Sequence, residues 1–176
     1  LYATEQGENA AVALAIEEHY LPKSAADALP QSAVGVTLAV ADQLDTLAGC
    51  FGIGMVPKGG DPQGLRRAAL ALINILIEHN IDVELSVLFE HALRHLQASA
   101  SAHPDEFGAW TKAQGAEKEP SGLSEVTQAL STFTVTRFKA RESGLASDIV
   151  DSVILNSGPN PLVLSKKVDA LREISQ

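Results

Sequence analysis

Between residues 32 and 79 apolar side chains return every three or four positions, and this spacing constrains the fold more than any other feature of the chain. Val36, Val40, Leu44, Leu47 and Phe51 form one such series, and Leu65, Ala69, Leu72, Ile73, Leu76 and Ile77 form a second. A period near 3.6 places each series on one side of a helix, so two helices are expected, over 32–51 and 62–79. The first also carries Ala33, Gly35, Ala39, Ala41, Ala48 and Gly49. Residues this small let neighbouring helices approach closely, so this helix is expected at the centre of the fold. GIGMVPKGGDPQG separates the two and reads as a loop with defined turns, with Asp61 as an N-cap and Pro62 at the first helical position.

The same reading extends along the chain. A helix is expected from Gly7 to Tyr20, with Val12, Ile16 and Tyr20 inward and Glu17 and Glu18 turned away, ended by Pro22. Asp82 is placed to cap a helix running through Leu96, and further helices are expected over 123–142, 146–156 and 161–174. Residues 97–122 lose the period and gain Ser, Pro, Gly and charge, as a linker or mobile insertion would. The expected organisation is therefore a helical core over 1–96, the linker, and a C-terminal helical region over 123–176. Only 5% of residues are aromatic while alanine and leucine abound, which favours an all-α fold.

The single cysteine, Cys50, has no intrachain partner for a disulfide and points to a reducing compartment. No uninterrupted apolar run reaches the ~18 residues of a membrane span, and LYATEQGENAA lacks the pattern of a signal peptide. A formal charge of −9 argues against a broad nucleic-acid surface but leaves room for a local basic patch.

Three groups of residues bear on chemistry. Asp42 and Asp45, at i and i+3, share a helical face and could hold a metal, move protons or pair with cations, the structural pairing being favoured. Arg66 and Arg67 sit in a first helical turn, where each opposes the macrodipole by roughly 0.3–1 kcal/mol. Bidentate pairing with Asp42 or Asp45 would offset that cost for one of them. A phosphate-sized site formed with Lys58, Gly59, Gly60 and the helix N-terminus is open for the other. His19 could face Asp42 across the core as a metal ligand, although a lone histidine is more often a hydrogen-bonded core or cap residue. His91 and His95 lack the glutamate that makes H-E-x-x-H specific and read as a solvated face, while Phe107 and Trp110 could stack on a base or dock on the core. No phosphate loop, nucleophile elbow or dinucleotide fingerprint occurs.

Taken together, EEHYLPKSAADALP, LAVADQLDTLAGCFGIGMVPKGGDPQGLRRAAL and RFKARESGLASDIVDSVI resemble the β subunit of the bacterial heterotetrameric glycyl-tRNA synthetase. The resemblance is strong over 5–78 and looser over 123–174. It departs from the family pattern at Gln43, where the family has lysine, at Gln63, where it has phenylalanine, and in a glycine-rich loop one residue short.

The resemblance implies an HD-like helical bundle followed by further helices, with the class II aminoacylation site on the α subunit and this chain serving tRNA binding and assembly. It implies an α2β2 heterotetramer, tRNA(Gly) as partner, ATP and Mg used by the parent enzyme, a cytoplasmic location and no membrane. No catalytic or metal-binding residue is assigned to this chain. Lys58, Arg66 and Arg67 are the tRNA-binding candidates, and His19, Asp42 and Asp45 the polar centre of the HD-like core. Two alternatives stand beside this: a metal-dependent HD-type phosphohydrolase, which would hold a divalent ion at His19 and Asp42 but also needs an adjacent His-Asp pair that the sequence lacks, and a non-catalytic helical scaffold that never touches RNA.

Overall fold

The structure is a computed structural model and describes residues 2–24, 27–103, 108, 123–142 and 146–174. Among the described residues all regular structure is helical. The helices are α1 (Tyr2–Glu5), α2 (Ala10–Glu18), α3 (Ala33–Gly52), α4 (Leu65–Glu78), α5 (Leu85–Ala102), α6 (Leu123–Arg141), α7 (Ser147–Leu155) and α8 (Pro161–Ile174). The all-α expectation therefore holds. The helical period continues to Ala102, six residues into the segment read as a linker; most of its remainder, including Phe107 and Trp110, lies outside the described residues.

One continuous core takes Leu47 and Phe51 from α3, Leu65, Leu72 and Leu76 from α4, Phe89 from α5, Leu130 and Phe138 from α6, Val150 from α7, and Leu164 from α8. It thus crosses the segment 97–122. The most continuously buried helix is α4 rather than α3, because Leu65, Ala68, Ala69, Ala71, Leu72, Ile73, Ile75 and Leu76 enclose it on nearly every side. By length and composition alone α3 could also span a membrane. A count of uninterrupted apolar residues stops at Asp42 and Asp45, and in this fold α3 packs against α2, α4, α5 and α6.

Helix α2 meets α3 by the face opposite to the one its apolar stripe suggests. Ala15 and Glu18 are buried, whereas Val12, Ile16 and Tyr20 are exposed. Glu18 turns inward because the orphan N–H groups at the start of α3 offer it partners. Its carboxylate accepts hydrogen bonds from the Gln31 N–H at 2.9 Å, the Ser32 N–H at 3.2 Å and the Ser32 hydroxyl. Ser32 Oγ in turn accepts from the Gly35 N–H at 3.0 Å, as an N-cap does. Close packing here requires glycine at 35, since a Cβ on it would lie 2.8 Å from Glu18 Cβ. The Ser32 hydroxyl and the Gln31 N–H hold the Glu18 carboxyl below its ordinary value, against the opposing effect of burial. His79, at the end of α4, donates from Nε2 to the Pro30 carbonyl at 2.8 Å and completes the junction.

Asp82 does not cap α5. It accepts from Asn160 Nδ2 at 2.7 Å, while the Pro159 carbonyl takes the Leu85 N–H at 3.0 Å. Asn160 Oδ1 also accepts from the Val163 N–H in the first turn of α8. A polar clasp therefore joins the start of α5 to the start of α8.

Candidate nucleic-acid interface

The basic candidates sit where α3 ends and α4 begins. Gly54 and Gly64 adopt positive φ, of 78° and 69°, which lets the loop turn out of α3 and then into α4 without the steric cost a Cβ would add. Helix α4 starts at Leu65, three residues later than Pro62, because residues 61–64 close a turn through the Gly64 N–H and the Asp61 carbonyl. Asp61 still caps the helix from outside it. Oδ1 accepts from the Leu65 N–H at 2.8 Å and Oδ2 from the Arg66 N–H at 2.9 Å.

Capping by Asp61 corrects two expectations. The carboxylate that offsets Arg66 and Arg67 against the helix dipole belongs to Asp61, and neither Asp42 nor Asp45 forms an ion pair with either arginine among the described residues. Asp61 also occupies N–H groups that a phosphate at the helix N-terminus would need. What remains for an anion is the side chains themselves. Lys58 is exposed on the loop, Arg66 is half-buried and donates from Nη1 to the Gly59 carbonyl at 3.3 Å, and Arg67 is exposed and folds back over Gly64. Neither arginine has an acidic ion-pair partner among the described residues.

His19, Asp42 and Asp45 do not form a polar centre. Asp42 and Asp45 are exposed, the first accepting only a long contact of 3.4 Å from Gln43 Nε2. The reason is rotational: at about 100° per residue, the inward series Val36, Val40, Leu47 and Phe51 leaves positions 42 and 45 on the far side of α3. His19 stays local, with Nδ1 2.7 Å from the Ile16 carbonyl oxygen and its ring 3.9 Å from that of Tyr20. The divalent site of the phosphohydrolase reading is therefore not assembled. Among the described residues no three His, Cys, Asp or Glu side chains come together as a metal site, and His91 and His95 are exposed. Cys50 is half-buried, and burial, reinforced by the charge of Asp61, raises its thiol pKa and so disfavours the nucleophilic thiolate.

A basic residue that the motif reading passes over lies on α6. The Arg137 guanidinium carbon is 5.6 Å from the centroid of the Phe133 ring, which itself packs on Phe51 at 5.1 Å. The sequence signal is a phenylalanine four residues before an arginine, the spacing that lets the two meet on one helical face.

A model of the family described as glycyl-tRNA synthetase beta subunit matches residues 1–155. The chain belongs to this family. A glycine–tRNA ligase beta subunit from Aeromonas hydrophila is 36% identical over 173 residues, which cover 97% of this chain and 22% of the relative. The corresponding subunit from Serratia proteamaculans is 37% identical over 173 residues with the same coverage, and that from Dichelobacter nodosus 36% over 177 residues, 99% of this chain and 23% of the relative. This family member thus spans about a fifth of the length of the curated relatives it matches. The similarity includes α6 and its Arg137, where the motif resemblance is looser.

Proposed function

We propose that this chain is the part of a glycyl-tRNA synthetase β subunit that contributes tRNA contact and assembly surface to the ATP-dependent charging of tRNA(Gly) with glycine, the chemistry residing on the α subunit of an α2β2 enzyme in the cytoplasm. The observation that carries the tRNA half is the cluster of Lys58, Arg66 and Arg67 around one loop, the two arginines lacking acidic partners among the described residues in a chain of net charge −9. Cations left without carboxylates are free to meet phosphates. The exposed Val12, Ile16 and Tyr20 stripe supports the assembly half. ATP and Mg belong to the reaction of the parent enzyme.

The test is tRNA(Gly) binding by the α/β assembly at several salt concentrations, with Lys58→Ala, Arg66→Ala and Arg67→Ala introduced singly and together. Each lost phosphate contact lowers the slope of log affinity against log salt by about 1. Unchanged affinity and slope in the triple variant would overturn the reading.

A further inference from the structure

A cleft of about 470 Å³ opens between α4 and α6, lined by Leu70 and Asn74 on one wall and Ala140 and Arg141 on the other, with the acids Asp27 and Glu78 also lining it. C-terminal residues of the two helices meet in this cleft, while Phe133, two turns earlier on α6, packs on Phe51 at the end of α3, from which the loop leads into α4. Helical register extends both walls toward that end. By helical register Arg66 and Arg67 share the Leu70–Asn74 side of α4 and Arg137 and Phe133 the Ala140–Arg141 side of α6, the arginines about one turn, or about 5.4 Å, nearer the helix starts and Phe133 about two turns.

The arginines at the two ends differ. Arg141 is paired with Glu142 at 2.5 Å, and Glu142 also binds Arg172. Arg137 has neither an ion pair nor a hydrogen bond among the described residues, and its Nε is buried without an acceptor. Its guanidinium carbon lies 5.6 Å from the centroid of the Phe133 ring, within cation–π reach, and that contact leaves its charge without a counter-ion among the described residues. A half-buried cation with no counter-ion is costly in a folded chain unless a ligand supplies the charge.

From this we infer that Arg137, set over Phe133, is a further phosphate contact for RNA, continuing the surface of Lys58, Arg66 and Arg67 across the α4–α6 groove. The inference rests on the proposed tRNA reading and adds a residue to it. The acids Asp27 and Glu78 set the polarity: a phosphate backbone enters by the arginine end and is repelled from the other.

The experiment is binding of a tRNA(Gly) transcript to the α/β assembly across a salt series, with thermal midpoints measured alongside. R137Q should weaken binding roughly threefold to tenfold and lower the salt slope by about 1, and R137K should keep the slope. F133L keeps the charge but removes its platform, so it should weaken binding with little change in slope. If R137Q and F133L bind as the parent does while the Lys58, Arg66 and Arg67 triple variant is weakened, the role of Arg137 is overturned and the wider reading stands. If none of these variants changes binding, the wider reading fails as well.

Discussion

Replacing Glu18 by glutamine tests whether the junction between α2 and α3 is held by a charged cap. The carboxylate serves three donors, the Gln31 N–H, the Ser32 N–H and the Ser32 hydroxyl, in a site where Glu18 is only 7% exposed. Glutamine keeps one acceptor oxygen and turns an NH2 group toward those donors. A hydrogen bond to a charged group contributes about 1.5–3 kcal/mol net, and a buried donor left without an acceptor costs about 1–3 kcal/mol. The expected loss is therefore about 3 kcal/mol, which at this chain length lowers Tm by roughly 6–12 °C. Because the folded-state pKa of Glu18 lies below its ordinary value of 4.5, the stabilisation from its charge is fully present above that value and is lost as pH falls through the folded pKa. Urea unfolding followed by far-UV circular dichroism, on parent and E18Q from neutral pH into acid, should show a gap that closes as pH falls. A neutral-pH gap below about 0.5 kcal/mol, the scatter of ordinary surface substitutions, would refute the reasoning. So would a gap that stays constant through the acid range.

Two further predictions concern glycine and capping. G35A should destabilise by about 1–3 kcal/mol because its Cβ meets that of Glu18 at 2.8 Å, whereas G49A, with nothing within 4 Å, should gain up to about 1 kcal/mol of helix propensity. Equal effects at the two positions in urea unfolding would remove the packing argument. D61A takes acceptors from the Leu65 and Arg66 N–H groups and should cost about 1–2 kcal/mol, measured the same way; no loss would mean that the cap is dispensable.

Much of this fold is legible in the sequence because a period of 3.6 survives in nearly every helix. The apolar series starting at Leu65 and Val36 face the core as their spacing predicts, and α8 begins and ends where the pattern does. What misleads is the assumption that a helix buries its most apolar stripe. On α2 the choice of face is made by three donors at the start of α3, and Glu18 reaches them from a position whose sequence neighbours say nothing of Ser32. The misplacement of Asp42 and Asp45 has a different origin. Their spacing is right for a shared face, but the same wheel that turns Val36, Val40, Leu47 and Phe51 inward turns these two outward. Pairing them with Arg66 and Arg67 requires a geometry that the periodicity already contradicts. The Asp61 cap was readable from the loop, and once it serves the first N–H groups of α4 no second carboxylate is needed there.

That exchange of partners decides what a polyanion can meet. A chain carrying −9 repels RNA as a whole, so contact depends on where its cations stand free of carboxylates. At physiological salt a charge is felt over about 8 Å, which makes the local composition of a surface count for more than the total. Lys139, Arg141 and Arg172 are each tied to an acid and Arg94 is paired with Glu90, which removes them from this role. Arg66 and Arg67 on α4 and Arg137 on α6 are not so tied among the described residues, and α4 packs on α6. Asp61, the acid nearest to them in sequence, is drawn onto backbone N–H groups of α4, so its charge is spent on the helix dipole rather than on the guanidinium groups. On the proposed reading, an acidic chain meets a polyanion through the placement of a few unpaired arginines rather than through its composition or net attraction.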